Sequence, residues 1–311
     1  LGFVDTLQSF LSFRILPTGV NFAKEVRLDE CCMSWIQKLT IYAGNGSVLE
    51  EIDKYNLLNN LLDKTTAPLG YSSSTGRALD NSGSKAVRQA KACHPSGYQY
   101  CGGLDCFGIM SGEMGVLLPM SYINSEITLE ITLAPFAECW VGTETSAGSA
   151  SYQIDNVEYV AHCLTFSEEY NSRFAQQLTT RGIDMSFTSY KTHNSVLTSG
   201  NMDLQISQNA ASVRAVYHIM RSKDSYKSIT KDSLSSFKSG NLSSIQWSMG
   251  AKLIPEQPIR LDNAGVTSLQ VQNLQSWGMF RQLSLGSSIS DANFWSTEAA
   301  KPALGIQSTA F

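Results

Sequence analysis

The sequence predicts a mainly β chain arranged as two consecutive antiparallel β-sandwich domains with a short helix in each. Three observations predict this. Apolar and polar residues alternate with period two over many short segments. Thr, Val, Ile, Tyr and Phe crowd those segments, as β-structure prefers. The order of strand, helix, further strands and long polar excursion runs twice along the chain.

Taken in order, Asp5–Leu16 (DTLQSFLSFRIL) alternates as a strand. The chain opens at Leu1 rather than Met, without the basic-then-apolar pattern of a signal peptide, and its first residues already alternate as a strand, so the natural N-terminus is expected upstream. Trp35–Tyr42 reads as a strand running into Gly44-Asn45-Gly46-Ser47. A phosphate-binding loop would follow such glycines with a Lys, whereas Val48 and Leu49 follow here, so the turn offers no cation. It is expected instead to start a helix over Ser47–Lys64. Ser47 would cap the first turn, and Glu50, three residues on, would reach back to the Ser47 amide as a capping box. Val48, Ile52, Tyr55, Leu58 and Leu62 would form the apolar stripe that packs this helix on a core.

In Glu126–Ala134 (EITLEITLA), Ile127, Leu129, Ile131 and Leu133 point one way and Thr128, Glu130 and Thr132 the other, a strand with one buried face. Gly142–Ser151 (GTETSAGSAS) has the composition of a junction, which divides the chain into domains 1–145 and 152–311. Val157–Phe166 then leads as a strand into a second helix, Ser167–Thr180. Tyr170, Phe174 and Leu178 recur there at spacings of four, acids occupy the first turn, and Gly182 stops the helix. Strand alternation returns at Ile183–Ser189, Met202–Ile206, Val213–Ile219 and around Ile245, Trp247 and Met249. Two antiparallel β-sandwiches of the jelly-roll kind account for this order.

The polar excursions are Tyr71–Gly97 and Arg221–Ser244. Each is long for a connection in a compact domain and poor in large apolar residues, so at least one is expected to project from the end of its domain. The basic residues of the second excursion (Arg221, Lys223, Lys227, Lys231 and Lys238) are interleaved with Asp224, Asp232 and serines, as in a solvated loop.

Composition narrows the function. The 311 residues carry a formal net charge of −4, and no cluster of Lys and Arg is dense enough for a duplex-DNA face. Charged residues are 16% of the chain, below the roughly 25% usual for soluble domains, which suits a protein lying against neighbours over much of its surface. No apolar run is long enough to span a membrane. Seven cysteines form no even disulfide framework, and reduced assembly inside a cell is expected. Cys93, His94, Cys101 and Cys106 lack the close Cys-x-x-Cys hook of a zinc site, so no metal is expected there. His94, His162, His193 and His218 stand in no ligand spacing, and no nucleophile elbow is present, so no catalytic residue and no cofactor are expected. Glu168 and Glu169 diverge on their helix and serve its dipole. The five tryptophans are spread along the chain as core or interface anchors, not as a stacking platform for bases.

Several of these stretches resemble one family. Leu28-Asp29 followed by Ser34-Trp35-Ile36 and then IYAGNGSVLEEIDKYNLL is similar to the first-domain signature of double jelly-roll major capsid proteins of tailless icosahedral viruses. These include polinton-like viruses, virophages and small lipid-containing phages. Tyr152–His193 resembles the start of the second jelly roll, and Trp247–Ile259 (WSMGAKLIPEQPI) a late strand and Pro-containing turn of the same domain. The resemblance runs in order over most of Leu1–Ile259. The chain departs from the pattern in lacking the first strand before Asp5, and its length fits the compact small-phage type.

The resemblance implies a structural virion protein. Such proteins form homotrimers in which six jelly rolls make a pseudo-hexagonal capsomer, and capsomers tile an icosahedral shell, often over an internal membrane. The implied partners are the chain itself, neighbouring capsomers and penton or minor capsid proteins, with no specific nucleic acid. The location is the virion, assembled inside the host cell. Two rivals belong to other classes. A receptor- or carbohydrate-binding jelly roll of spike or lectin type needs an aromatic and polar patch on its loops. A cupin-like enzyme needs ligand histidines or a carboxylate pair at workable spacing.

Overall fold

The computed structural model describes residues 2–20, 26–66, 79, 85–92, 94, 96–104, 108–111, 117–123, 126–142, 150–198, 200–207, 210, 212–234, 237, 242–260, 266–276 and 306–310. The chain is mainly β, with several antiparallel sheets and a few short helices. Its strands are β1 (Phe3–Thr18), β2 (Arg27–Leu28), β3 (Ile36–Tyr42), β4 (Val48–Asp53), β5 (Tyr98–Gly102), β6 (Thr128–Leu133), β7 (Trp140–Val141), β8 (Ser151–Leu164), β9 (Ala215–Ile219), β10 (Ser244–Met249), β11 (Lys252–Arg260) and β12 (Ile306–Ala310). Helices α1 (Tyr55–Thr66), α2 (Lys85–Ala92), α3 (Phe136–Cys139), α4 (Glu168–Arg181) and α5 (Val266–Ser276) are interspersed.

Two three-stranded sheets, ordered β5-β1-β8 and β4-β3-β6, share one core. Alternation explains how. In β1 the side chains of Leu11, Phe13 and Ile15 point inward, and in β3 those of Leu39 and Ile41 do the same from the other sheet. Phe13 meets Trp35 edge-on with ring centroids 5.0 Å apart and stacks with Tyr100 at 6.0 Å. Trp140 stacks on Phe136 at 5.7 Å and closes one end. Apolar burial of this kind is the main favourable term in folding, and aromatic pairs add to it.

β1 is the long central strand, and its pairing with β8 crosses the expected domain boundary. It pairs antiparallel with β8 from Phe3 opposite Leu164 to Thr18 opposite Ser151. Arg14 clamps the pair by donating from Nε and Nη2 to both Asp155 oxygens, each at 2.6 Å. Residues on either side of the junction expected at 145–152 therefore lie in one sheet. The junction itself, residues 143–149, lies outside the described residues.

Helix α4 matches its sequence expectation. The Ser167 hydroxyl accepts from the Tyr170 amide at 3.4 Å, and Gly182 leaves the helix at φ 71°, where a β-carbon is disfavoured. Phe174 of this helix and Phe166 just before it both meet Phe3 at the start of β1, with ring centroids 5.0 Å apart. The expected strands Ile183–Ser189 and Met202–Ile206 differ from expectation: neither pairs with a strand among the described residues, and both are largely exposed.

The expected helix Ser47–Lys64 needs a correction. Val48–Asp53 is strand β4, paired antiparallel with β3, and the helix begins only at Tyr55. The glycine turn makes a hairpin. The Gly46 amide donates to Ala43 O at 2.8 Å with Gly46 at φ 80°, and the Ala43 amide donates to Ser47 O at 2.9 Å. Glu50 and Ile52 then point inward on alternate positions. Lys54, at φ 56°, ends the strand, and its carbonyl accepts from Leu57 and Leu58 to start α1. The packing residues thus divide between two elements. Tyr55, Leu58 and Leu62 do pack on the core from α1, Ile52 is buried from β4, and Val48 is exposed.

Candidate functional site

Ser47 and Glu50 do not form a helix cap. Ser47 sits in the exposed hairpin turn, where its hydroxyl and its amide both donate to Asn45 Oδ1, at 2.7 and 3.0 Å. Ser47→Ala is therefore expected to change stability by less than about 0.5 kcal/mol in a thermal melt, as at other exposed positions.

Glu50 has a different and more consequential place. It is 3% exposed, and its two oxygens accept from the amides of Gly108 and Ile109, each at 3.2 Å. The Ser189 side chain also bonds to it. One carboxylate thus ties β4, the turn at 108–111 and the segment around Ser189. Gly108 permits the close approach, since a β-carbon there would lie 2.5 Å from the Thr188 carbonyl oxygen. Nearby, Lys191 Nζ donates to Glu51 O at 3.4 Å, and the Thr192 hydroxyl donates to Asp53 O at 3.0 Å. These two bonds occupy backbone carbonyls of β4, an edge strand of its sheet.

Burial pushes the Glu50 carboxyl above its ordinary range, and the bonds from Ser189, Ile109 and Gly108 and the charge of Lys191 only partly oppose it. The sign follows from linkage. A carboxyl whose pKa is raised by folding favours the folded state below the ordinary carboxylate range, and that advantage is lost as pH rises through the folded value. Glu50→Gln should lack this dependence, so the wild type should gain stability relative to the variant as pH falls from 7 to 4. Glu50→Ala, which orphans two buried amides, should cost about 2 kcal/mol. Chemical denaturation of both variants across that pH range measures each effect.

A second polar cluster lies outside the candidates read from the sequence. Arg27, Asp29 and Glu138 are 5%, 0% and 4% exposed, and all three engage the polar excursion that begins at Arg221. Arg27 Nη2 pairs with Asp232 Oδ1 at 2.7 Å, and Asp29 Oδ2 accepts from the Leu234 amide at 2.6 Å. Glu138 lies between Lys227 Nζ at 3.2 Å and Lys54 Nζ at 3.8 Å. The Gly142 amide donates to Ile229 O at 2.7 Å, and Arg221 Nη1 donates to Ser233 O at 3.2 Å. Ser225, Ser233 and Leu234 are buried as a result. The described part of this excursion, residues 221–234 and 237, is a strap fastened to the first half of the chain rather than a wholly solvated loop, although Lys223, Lys227 and Lys231 are exposed. In Tyr71–Gly97, most residues before Lys85 lie outside the described residues, and α2 turns Arg88, Lys91 and Ala92 inward.

The candidate chemistry-bearing residues do not converge. His162 lies exposed on β8 with its amide donating to Ser9 Oγ at 3.0 Å, while His218 on β9 meets Trp247 edge-on at 6.3 Å. Cys93 and Cys106 lie outside the described residues, so their grouping with His94 and Cys101 is not described. Among the described residues, no group of three or more His, Cys, Asp or Glu side chains is placed to hold a metal ion. Among them too, no helix is long and apolar enough to cross a membrane.

Cys139 is fully buried, and burial pushes its thiol well above the ordinary value. A thiolate nucleophile needs the opposite shift. Burial, together with Cys139, also pushes the neighbouring Tyr152 phenol upward, and its hydroxyl donates to Ala134 O. A shallow depression of about 470 Å³ lies beside the first hairpin, lined by Tyr42, Ala43, Gly44, Gly46, Glu126 and Thr128. Its one carboxylate has no second acid or cation in the lining.

What this arrangement does is hold segments together. Arg27, Asp29 and Glu138 were legible only as charges inside apolar runs, VRLDECC and AECW, a pattern that marks buried ionic groups in need of partners. No family model, curated protein or solved structure matches the chain.

Proposed function

We propose that this chain is a structural virion protein, a major capsid protein of double jelly-roll type. Its copies close into homotrimeric, pseudo-hexagonal capsomers that tile an icosahedral shell. The β1–β8 pairing is, in this reading, the seam that joins the two rolls.

One observation carries the reading: the uneven distribution of burial. Among the described residues, the large apolar core is drawn from residues 4–140, with Tyr152, Ile154, Tyr159 and Tyr190 packed against it, whereas eleven large apolar residues between 157 and 206 are exposed. Apolar residues gathered in one stretch of the chain and left outside its core are the kind of surface that a partner covers. The low charge of the chain supports the same reading, because polar, weakly charged faces pack against copies with little desolvation cost. So does the ordered resemblance of Leu28–Leu58, Tyr152–His193 and Trp247–Ile259 to capsid proteins.

Native mass measurement of the purified chain tests the oligomeric half of this reading. The expected species has three times the 34.0 kDa chain mass. A chain that stays monomeric from nanomolar to high micromolar concentration contradicts it.

A further inference from the structure

Among the described residues, the molecule combines an unpaired strand edge with an alternating segment that joins no sheet. β8 is an edge of the sheet β5-β1-β8, and its 14 residues contain neither Lys nor Pro, the residues that usually blunt such an edge. The His162 amide faces β1, where it donates to Ser9 Oγ. Alternate residues of a strand turn their backbone groups to opposite sides, so Tyr159, Ala161 and Cys163 turn theirs to the free edge. Tyr159 also packs on the core, so the same alternation places Ala161 and Cys163 on the core-facing side, where both are exposed. On the same side Val157 is 46% exposed. The sheet therefore ends before its apolar face does.

What continues a sheet is another extended segment with apolar residues at every second position. Met202, Leu204 and Ile206 supply that pattern, are each about two-fifths exposed, and join no strand among the described residues. Their own chain is held elsewhere upstream, because Lys191 and Thr192 are fastened to β4 of the other sheet.

We propose that Met202–Ile206 of a second copy of this chain adds as a strand to the free edge of β8. The contact is head-to-tail, with an edge on one copy and an arm on the next, and such contacts close into rings when the rotation permits. This rests on the coat reading and specifies its seam.

Cysteine scanning on the full chain tests it, using the exposed native Cys163 as the probe. Cysteine is placed singly at Met202, Asp203, Leu204, Gln205 or Ile206, and each variant is mildly oxidised and run without reductant. The expected result is a ladder of covalent dimers and trimers for at least one position, with peptide mapping that joins Cys163 to the new cysteine. The ladder should vanish when Cys163→Ser is added. Ala161→Pro, which removes one edge amide, should weaken trimer formation roughly tenfold with an unchanged circular dichroism spectrum. A Cys163 link confined to monomer-sized protein overturns the proposal, as does the absence of any link in a chain that native mass shows to be trimeric. In the latter case the coat reading stands and the seam lies elsewhere. A chain that is always monomeric overturns both.

Discussion

Asp29→Ala is expected to destabilise the chain by about 3 kcal/mol and to free the strap at residues 221–234. The carboxylate is fully buried, and its Oδ2 accepts from the Leu234 amide at 2.6 Å. Hydrogen bonds to charged groups are worth roughly 1.5–3 kcal/mol, and a buried amide left without its acceptor carries the desolvation penalty as well. The loss should spread along the strap. Arg221 is buried enough that its pKa is drawn down, an effect opposed by Tyr226, Glu138 and Asp29 in that order. Removing Asp29 thus takes one favourable charge from a guanidinium already short of water. Hydrogen exchange should show faster exchange at Ser225–Leu234 and little change in β3. Unchanged protection at Leu234 would mean that the strap is held without Asp29.

Ile52→Ala should cost about 2–5 kcal/mol, the range for removing a buried branched side chain and leaving a cavity. Ile52 is 0% exposed in β4 and belongs to the core shared by the two sheets. The contrast with Ser47→Ala separates the two possible structures of this segment. A helix capped at Ser47 makes both substitutions costly, whereas the hairpin makes only Ile52→Ala costly. Thermal and urea melts of the pair decide between them, and a loss of about 1 kcal/mol at Ser47 would restore the cap.

The sequence carried the strands whose pattern is local. β1, β3, β6, β9 and β10 and helix α4 lie within a few residues of their expected positions, because alternation or a capped stripe of adequate length has one interpretation. Val48–Asp53 was misread for a definable reason. Val48 and Ile52 are four apart, and four is a step of both a helix face and a strand face. The tie was broken by the glycine hairpin and by the buried amides that Glu50 serves 58 residues away, neither of which is visible in a short window. The strap was misread in the same way. Its serines and charges look solvated until Asp232 meets Arg27 and Leu234 meets Asp29, each 205 residues apart in sequence. At Met202–Ile206 alternation predicts a strand and none is assigned, because a strand also needs a neighbour and alternation alone does not supply one.

Electron microscopy of the purified chain, concentrated in steps, tests the central claim most directly. A coat protein of this type should appear as three-fold particles with a pseudo-hexagonal outline that join edge to edge into hexagonal sheets or closed shells as concentration rises. Discrete particles of single-chain size, with no ordered contacts at any concentration, would contradict it.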